Sequence, residues 1–159
     1  MVGLDFPTIL LYNSMMRHLH VIIDINDPLT QLIKDDPVRP EIPVEQRISN
    51  TKEVHVLLED DTPLAVVCVS YQDFVPKITE ELFGSNKPTV AVFYTIWSYG
   101  SGAAKELLSR STDYIKNSRT TISRFVTLSP KTQMAEKFHM GNGAVLLENN
   151  ADTVNYEYL

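Results

Sequence analysis

The stretch TVAVFYTIWSYGSGAAKELL, residues 89–108, changes its apolar pattern halfway along. Its first nine residues are almost all apolar, which is typical of a strand that is buried on both faces. From Ala103 onwards, apolar residues recur at the spacing of one helical face. Gly100 and Gly102 lie between the two halves and predict a tight turn from the strand into the helix.

The predicted turn has the features of an anion-binding site. The first N–H groups of a helix have no partner within the helix and lie at the positive end of its dipole, so this terminus suits a pyrophosphate. The turn is not a nucleotide-binding P-loop, because the GK[ST] ending is absent. In an alternative interpretation, Gly100 and Gly102 only let the strand and the helix pack closely. The turn alone does not decide between the two.

The segments around this unit predict an α+β domain with a mixed sheet. EVHVLLED and PLAVVCVSY are rich in β-branched residues and flank a short polar turn, which predicts an antiparallel hairpin over residues 53–71. The other predicted elements are a helical turn over 78–83, a strand over 122–129, a short helix over 131–140, and strands over 144–148 and 153–159.

The N-terminal third of the chain has a different character. An apolar pattern over residues 7–19 favours a helix. A second short helix is predicted over 28–34, with Asp27 as its cap and Pro28 in its first position. The three prolines in DDPVRPEIPVEQR, residues 35–47, force extended backbone and leave little room for regular structure, which predicts an ordered or partly ordered connection rather than a domain boundary.

Length and charge limit the class of protein. A chain of 159 residues predicts a single domain over 1–159, with a helical and proline-rich segment over 1–50 and the core over 53–159. The net charge of −6 argues against a general attraction to nucleic acid or to an anionic membrane. Cys68 is the only cysteine, so no disulfide is expected within the chain.

The sequence predicts neither a membrane segment nor a metal site. A run of about 18 apolar residues is absent and the N-terminus lacks a basic region, so we expect a soluble, cytoplasmic protein. His18 and His20 have no acidic or thiol partner at metal-ligand spacing, and we interpret them as histidines on a surface helix. A homo-oligomer is compatible with the sequence.

The order of elements over residues 53–159 resembles the core of the GNAT acyltransferase superfamily: strand, turn of the form x-x-x-G-x-G/A, long helix, strand and short helix. In that superfamily the turn binds the pyrophosphate of coenzyme A (CoA). The resemblance implies a GNAT-like acyl-CoA N-acyltransferase fold. It assigns CoA binding to seven residues of the turn, Trp97, Ser98, Tyr99, Gly100, Ser101, Gly102 and Ala103. Trp97 stands where the superfamily usually has Arg or Gln.

Five segments in fixed order, PLAVVCVSY, VFYTIWSYGSG, FVTLSP, FHMGNGA and VNYEY, resemble the catalytic domain of malonyl-CoA decarboxylase. The resemblance implies conversion of a malonyl-type CoA thioester to acetyl-CoA and CO2, with no cofactor beyond that thioester. It also implies three catalytic residues: Ser129 and His139, which act together, and Tyr158. Gly102 takes the place of a glutamate that the family has in the turn. Glu106, one helical turn further on, is not expected to replace that acid.

The chemistry of Ser129 and His139 agrees with this resemblance. Loss of CO2 from a malonyl thioester leaves an enolate, which needs hydrogen-bond donors at the thioester oxygen and a proton for the new carbanion. A hydroxyl and an imidazole supply both. The turn at residues 141–143 predicts a helix end that fixes where His139 points. In the alternative structural roles, Ser129 caps the following helix, and His139 only interacts favourably with the negative end of the dipole of that helix.

Two other functions are compatible with the sequence. One is a GNAT-type N-acetyltransferase, which passes an acetyl group from acetyl-CoA to an amine with a water chain or Tyr158 as general acid. The other is a CoA-binding module without activity, which the missing acid at Gly102 would explain. The small-molecule partner is an acyl-CoA for the two enzymes and CoA for the binding module.

Overall fold

The computed structural model describes residues 16–159, in which eight strands form one sheet accompanied by two α-helices. The strands are β1 (Arg17–Ile22), β2 (Lys52–Glu59), β3 (Thr62–Gln72), β4 (Val90–Ser98), β5 (Arg124–Thr127), β6 (Ser129–Pro130), β7 (Val145–Asn149) and β8 (Thr153–Tyr158). The helices are α1 (Ala103–Ser118) and α2 (Gln133–Gly141), with short 3-10 helices at Pro28–Asp35, Val44–Gln46 and Thr79–Glu81. No helix within residues 16–159 is long and apolar enough to cross a membrane.

The sheet is mixed, as the sequence predicts. Strands β1 to β4 are antiparallel neighbours in chain order, which confirms the predicted hairpin as β2 and β3. Strand β5 runs parallel to β4 after the crossover through α1. Strands β5 and β6 pair antiparallel with one edge of β8, and β7 pairs antiparallel with the other. The fold class is therefore α+β.

Side chains alternate along the central strands, so each face of the sheet has its own apolar core. On one face, Leu107 and Ile115 of α1 pack among Val67 and Phe93 of the strands. Both helix residues are fully buried, which stabilises the fold by about 1.5–3 kcal/mol for each side chain. The helical spacing of apolar residues after Ala103 predicts this contact.

Residues 28–47, which we call the proline-rich segment, cover the opposite face of the sheet. Its 3-10 helix, Pro28–Asp35, begins as predicted, because the Asp27 carboxylate accepts a hydrogen bond of 2.9 Å from the Leu29 N–H. The connection that follows is anchored by a fully buried ion pair, in which Arg47 donates to Asp36 at 2.6 Å. Residues 35–47 are thus an ordered connection, as predicted, and they are packed against the core with one short 3-10 helix at Val44–Gln46.

Strand β1 corrects the predicted N-terminal helix. Arg17–Ile22 is extended and pairs with β2 along its whole length, and Met16 before it is not helical, so the helix predicted over 7–19 is wrong for its last four residues. The rest of that prediction lies outside the described residues. His18 and His20 are therefore on an edge strand, and His20 Nε2 lies 2.6 Å from Asp27 Oδ2. Pairing with the free edge of β2 overrides a local pattern that came mainly from residues before Arg17.

Candidate active site

Strands β4 and β5 separate halfway along β4. Their parallel pairing begins at Val90 and ends at Phe93, whose carbonyl accepts a hydrogen bond of 3.0 Å from the Leu128 N–H. Beyond this point β4 continues along β3 to Ser98, whereas the chain after Leu128 follows β8 as β6. The single strand predicted over 122–129 is therefore two strands. We call the opening between β4 and β6 the fork.

A β-bulge in β4 explains the separation. In the pairing of β3 with β4, Cys68 lies opposite Thr95 and Val69 lies opposite Phe93, so Tyr94 is the extra residue. A bulge bends its strand and increases the local twist, and here it turns β4 away from β5 where their pairing stops. The sequence does not predict the bulge, because a continuous apolar run carries no information about register.

A cavity of about 370 Å³ occupies the fork, within the size range of small-molecule pockets. It is lined by residues 93–98 of β4, by residues 128–130, by α2, and by Pro37 and Val38 of the proline-rich segment. Among these described residues, no lysine, arginine, aspartate or glutamate lines the cavity. The pocket is therefore largely apolar, with hydroxyl groups and the His139 imidazole as its polar groups.

Ser129 and His139 line the same cavity although they belong to different elements, β6 and α2. Ser129 is buried, and its hydroxyl donates a hydrogen bond of 2.8 Å to Thr127 Oγ1. It does not cap α2, because the capping hydroxyl is that of Thr132, which accepts from the Ala135 N–H at 3.1 Å. The structural alternative for Ser129 is therefore wrong.

His139 is held tightly at the end of α2, where only 4% of the residue is exposed. Its Nδ1 lies 2.7 Å from the Tyr158 hydroxyl, and its ring stacks on Tyr156 with the centroids 5.3 Å apart. The helix ends two residues later at Gly141, and in the turn that follows, Gly143 has a left-handed φ of 96°. The Ala144 N–H then donates to the His139 carbonyl at 3.0 Å. The turn at residues 141–143 thus fixes the position of His139, as predicted.

The charge state of His139 follows from its surroundings. Burial lowers the pKa of His139 from 6.5 to about 4, so the ring is neutral at neutral pH and gains nothing as a cation from the helix terminus. Burial also raises the pKa of Tyr158, which keeps its proton. The direction of the hydrogen bond between this hydroxyl and Nδ1 depends on the imidazole tautomer, and in one of the two tautomers the hydroxyl donates and Nδ1 accepts. The imidazole proton is then on Nε2.

We expect the buried neutral histidine to make stability depend on pH. Between pH 6.5 and about 4, the unfolded chain binds a proton at His139 and the folded chain does not. The free energy of unfolding should therefore fall as the pH is lowered through this window, by about 3 kcal/mol from this residue. Urea denaturation of wild type and His139→Gln at several pH values measures it. Equal pH slopes for the two proteins would contradict the assignment.

The turn at Gly100 and Gly102, between β4 and α1, is called the glycine turn below, and it adopts the strand-to-helix geometry that its sequence predicts. Gly102 precedes α1 with a left-handed φ of 76°, a conformation that favours glycine. Of the seven residues assigned to CoA, only Trp97 and Ser98 line the fork cavity, and Trp97 Nε1 donates to the Tyr99 hydroxyl at 3.0 Å. Ala103 is buried against the sheet in the first turn of α1. Ala103 and the other four assigned residues lie outside the cavity lining.

A pair of glycine substitutions tests this backbone geometry. Gly102→Ala should lower the free energy of unfolding by about 1 kcal/mol, because a left-handed φ is unfavourable for residues with a Cβ. Gly100→Ala is the matched control, since both positions have free space for a Cβ but Gly100 has no positive φ. Thermal or urea denaturation measures both. Equal effects would show that Gly102 has no special backbone role.

The acid missing at Gly102 is not supplied by Glu106. The Glu106 carboxylate accepts from Arg17 at 2.6 Å and from Arg110 at 3.0 Å, and it does not line the cavity. A Cβ at Gly102 would meet no atom within 4 Å. Within residues 16–159, no group of three or more histidine, cysteine, aspartate or glutamate side chains could hold a metal ion. The chemistry available in the pocket is therefore that of hydroxyl groups and a neutral imidazole.

Three residues of the proline-rich segment belong to the site but are not singled out by the sequence analysis. Pro37 and Val38 form one wall of the cavity. Arg39, the next residue, is buried and donates to the carbonyls of Tyr94 and Leu128 on the two sides of the fork. The sequence carries no clear signal for this, because residues 35–47 also hold two aspartates and two glutamates, as an exposed connection would.

No family model and no curated protein matches the sequence, but solved structures share its fold. The malonyl-CoA decarboxylase of Agrobacterium vitis is 21% identical, with a TM-score of 0.64 over 86% of this chain. The loading GNATL domain of CurA from Lyngbya majuscula is 13% identical, with a TM-score of 0.66 over 90% of this chain and 97% of that domain. The aminoglycoside N-acetyltransferase AAC(6')-Iy, solved in complex with CoA, is 14% identical, with a TM-score of 0.58 over 86% of this chain and 95% of that enzyme.

These similarities establish a GNAT-like fold, which confirms the predicted fold. The chain spans 40% of the length of the Agrobacterium vitis decarboxylase and 36% of the length of the decarboxylase from Cupriavidus metallidurans. It spans nearly the whole of the GNATL domain and of the aminoglycoside acetyltransferase. The described fold therefore corresponds to one part of the longer decarboxylases.

Proposed function

We propose that the protein is an acyl-CoA-binding enzyme that resembles malonyl-CoA decarboxylase and decarboxylates a malonyl-type CoA thioester in the fork. The observation that carries the proposal is that Ser129 and His139, on separate elements, line one cavity beside the glycine turn. In this proposal residues 97–103 hold the CoA, with its pyrophosphate at the N-terminus of α1. An acetyltransferase of the same fold was solved in complex with CoA, which supports CoA as the ligand.

The proposed reaction uses the neutral form of His139. The bond between the malonyl carboxylate and the α-carbon breaks, CO2 leaves, and the electron pair forms an enolate on the thioester. The Nε2–H of His139 donates to the enolate oxygen, and Tyr158 keeps that tautomer in place through Nδ1. A proton from solvent water then adds to the α-carbon and gives acetyl-CoA. The Ser129 hydroxyl, once it rotates away from Thr127 Oγ1, serves as a second hydrogen-bond donor or as the relay for this proton.

The apolar lining of the pocket supports decarboxylation. A carboxylate that enters a pocket without cationic side chains loses its hydration and gains no ion pair, whereas the transition state spreads the same charge over the thioester. The lining residues are uncharged and His139 is neutral, so the pocket disfavours the localised charge of the malonyl carboxylate relative to the transition state for loss of CO2. This environment accelerates loss of CO2 without a cofactor beyond the thioester.

Incubation of the purified full chain with malonyl-CoA tests the proposal. CO2 and acetyl-CoA should form in equal amounts without any acceptor, and Ser129→Ala should reduce the rate. CoA binding can be followed separately through the fluorescence of Trp97, which is the single tryptophan of the chain and lines the cavity. CoA binding without turnover of any thioester would leave a binding module. Absence of CoA binding would overturn the proposal entirely.

N-acetyl transfer is the second candidate, favoured by one observation. The turn carries Gly102 in place of the acid, and the protonated Tyr158 hydroxyl, which contacts His139 Nδ1 and is not part of the cavity lining, would supply the proton for a departing thiolate through the imidazole. The two reactions differ in their need for an acceptor. Acetyl-CoA would be consumed only when an amine is present, whereas decarboxylation of malonyl-CoA needs none.

A further inference from the structure

Arg39 is a buried cation without a carboxylate partner. Only 8% of the residue is exposed, and within residues 16–159 it forms no ion pair. Burying an unpaired charge is costly unless neutral hydrogen-bond acceptors surround it. Arg47, by contrast, also lies in the proline-rich segment but is paired with Asp36. The charge of Arg39 is balanced only from beyond ion-pair distance, by the carboxylates of Glu41, Asp36 and Glu80, and its hydrogen bonds go to neutral acceptors.

The guanidinium of Arg39 bridges the two sides of the fork. Its Nε donates to the carbonyl of Tyr94 at 2.8 Å, and its Nη2 donates to the carbonyl of Leu128 at 2.9 Å. Tyr94 is the bulge residue of β4, and Leu128 follows the last paired residue of β5. The guanidinium therefore replaces the ladder hydrogen bonds that β4 and β5 lose where they separate. Its Nη1 donates to Thr79 Oγ1 at 2.9 Å, outside the fork.

We propose that Arg39 is a positioning residue that fixes the width of the fork and thereby the place of Ser129 relative to β4; this inference rests on the proposed function. Ser129 directly follows Leu128, so a change at the Leu128 carbonyl moves the serine. The rigid, planar guanidinium has donors directed at two acceptors at once, which an ammonium group cannot reproduce. Misplacement of a catalytic group by about 1 Å is enough to cost about 100-fold in rate.

Three variants test this role against a merely structural one. Arg39→Met removes the bridge and should lower kcat for malonyl-CoA about 100-fold, with KM changed less than about threefold. Arg39→Lys keeps the charge but cannot span both carbonyls, so we expect about a 10-fold loss of kcat. Thr79→Val is the matched control: it removes the third acceptor of the same guanidinium but leaves the bridge, and kcat should stay within about threefold of wild type.

A readout without substrate separates this inference from the proposed function. In Arg39→Met the fork should open to water, so the fluorescence of Trp97 should shift to longer wavelength and become easier to quench, whereas Thr79→Val should leave it unchanged. If the wild type shows no turnover, the proposed function fails but this shift still tests the bridge. Full activity in Arg39→Lys would overturn the inference, because charge alone would then suffice. An unchanged Trp97 signal in a folded Arg39→Met protein would overturn it as well.

Discussion

Replacing His139 by alanine should lower kcat for malonyl-CoA about 10³-fold. The substitution removes the only imidazole among the described residues that line the pocket, and with it the proposed donor to the enolate oxygen. The loss should fall mainly on kcat, since His139 is neutral and interacts with the charge that develops after CO2 leaves. Steady-state kinetics with malonyl-CoA, beside CoA binding followed at Trp97, measures both effects.

Two further variants keep this prediction independent of folding. His139→Gln fills much of the same space and should be nearly as inactive, whereas CoA affinity should remain within about threefold of wild type. Tyr158→Phe removes only the hydrogen bond to Nδ1 and should cost about 10-fold, the value of one hydrogen bond. Full activity in His139→Ala would remove the histidine from the mechanism. A larger loss in Tyr158→Phe than in His139→Gln would assign the principal role to the tyrosine instead.

The sequence predicts the elements whose sequence pattern is local. The hairpin of β2 and β3, the buried strand β4 and the amphipathic helix α1 each carry their own periodicity, and each is found where it is predicted. Strand β1 is missed because its stability comes from pairing with β2, which is about 40 residues away in the chain. The bulge at Tyr94 is missed for a similar reason, since the register of β3 against β4 decides it.

The candidate site divides in the same way. Ser129 and His139 are singled out by the resemblance of FVTLSP and FHMGNGA to the decarboxylase segments, and the two line one cavity. The contribution of the proline-rich segment is not visible, because proline spacing describes the backbone and says nothing about which side chains are buried. Arg39 acquires its role only from carbonyls 55 and 89 residues further along the chain.

The buried ion pair beneath the fork should be the most sensitive point for stability. Arg47→Met should lower the free energy of unfolding by about 3–5 kcal/mol, because it leaves the Asp36 carboxylate buried without its cation. Although burial alone would raise the pKa of Asp36, the hydrogen bonds from Arg47 and from backbone N–H groups lower it, so the group is charged. Arg47 also donates to the carbonyls of Arg39 and Ile42, which hold the segment in place.

A double-mutant cycle and a surface control make the prediction specific. Urea denaturation of Asp36→Asn, Arg47→Met and the double variant should show that the single losses are not additive, since each removes the same pair. Arg110→Met, which breaks the more exposed pair with Glu106, should cost less than about 1 kcal/mol. If Arg47→Met were as mild as Arg110→Met, the ion pair would not anchor the proline-rich segment. Since that segment carries Arg39, loss of the pair should also lower kcat among the molecules that remain folded.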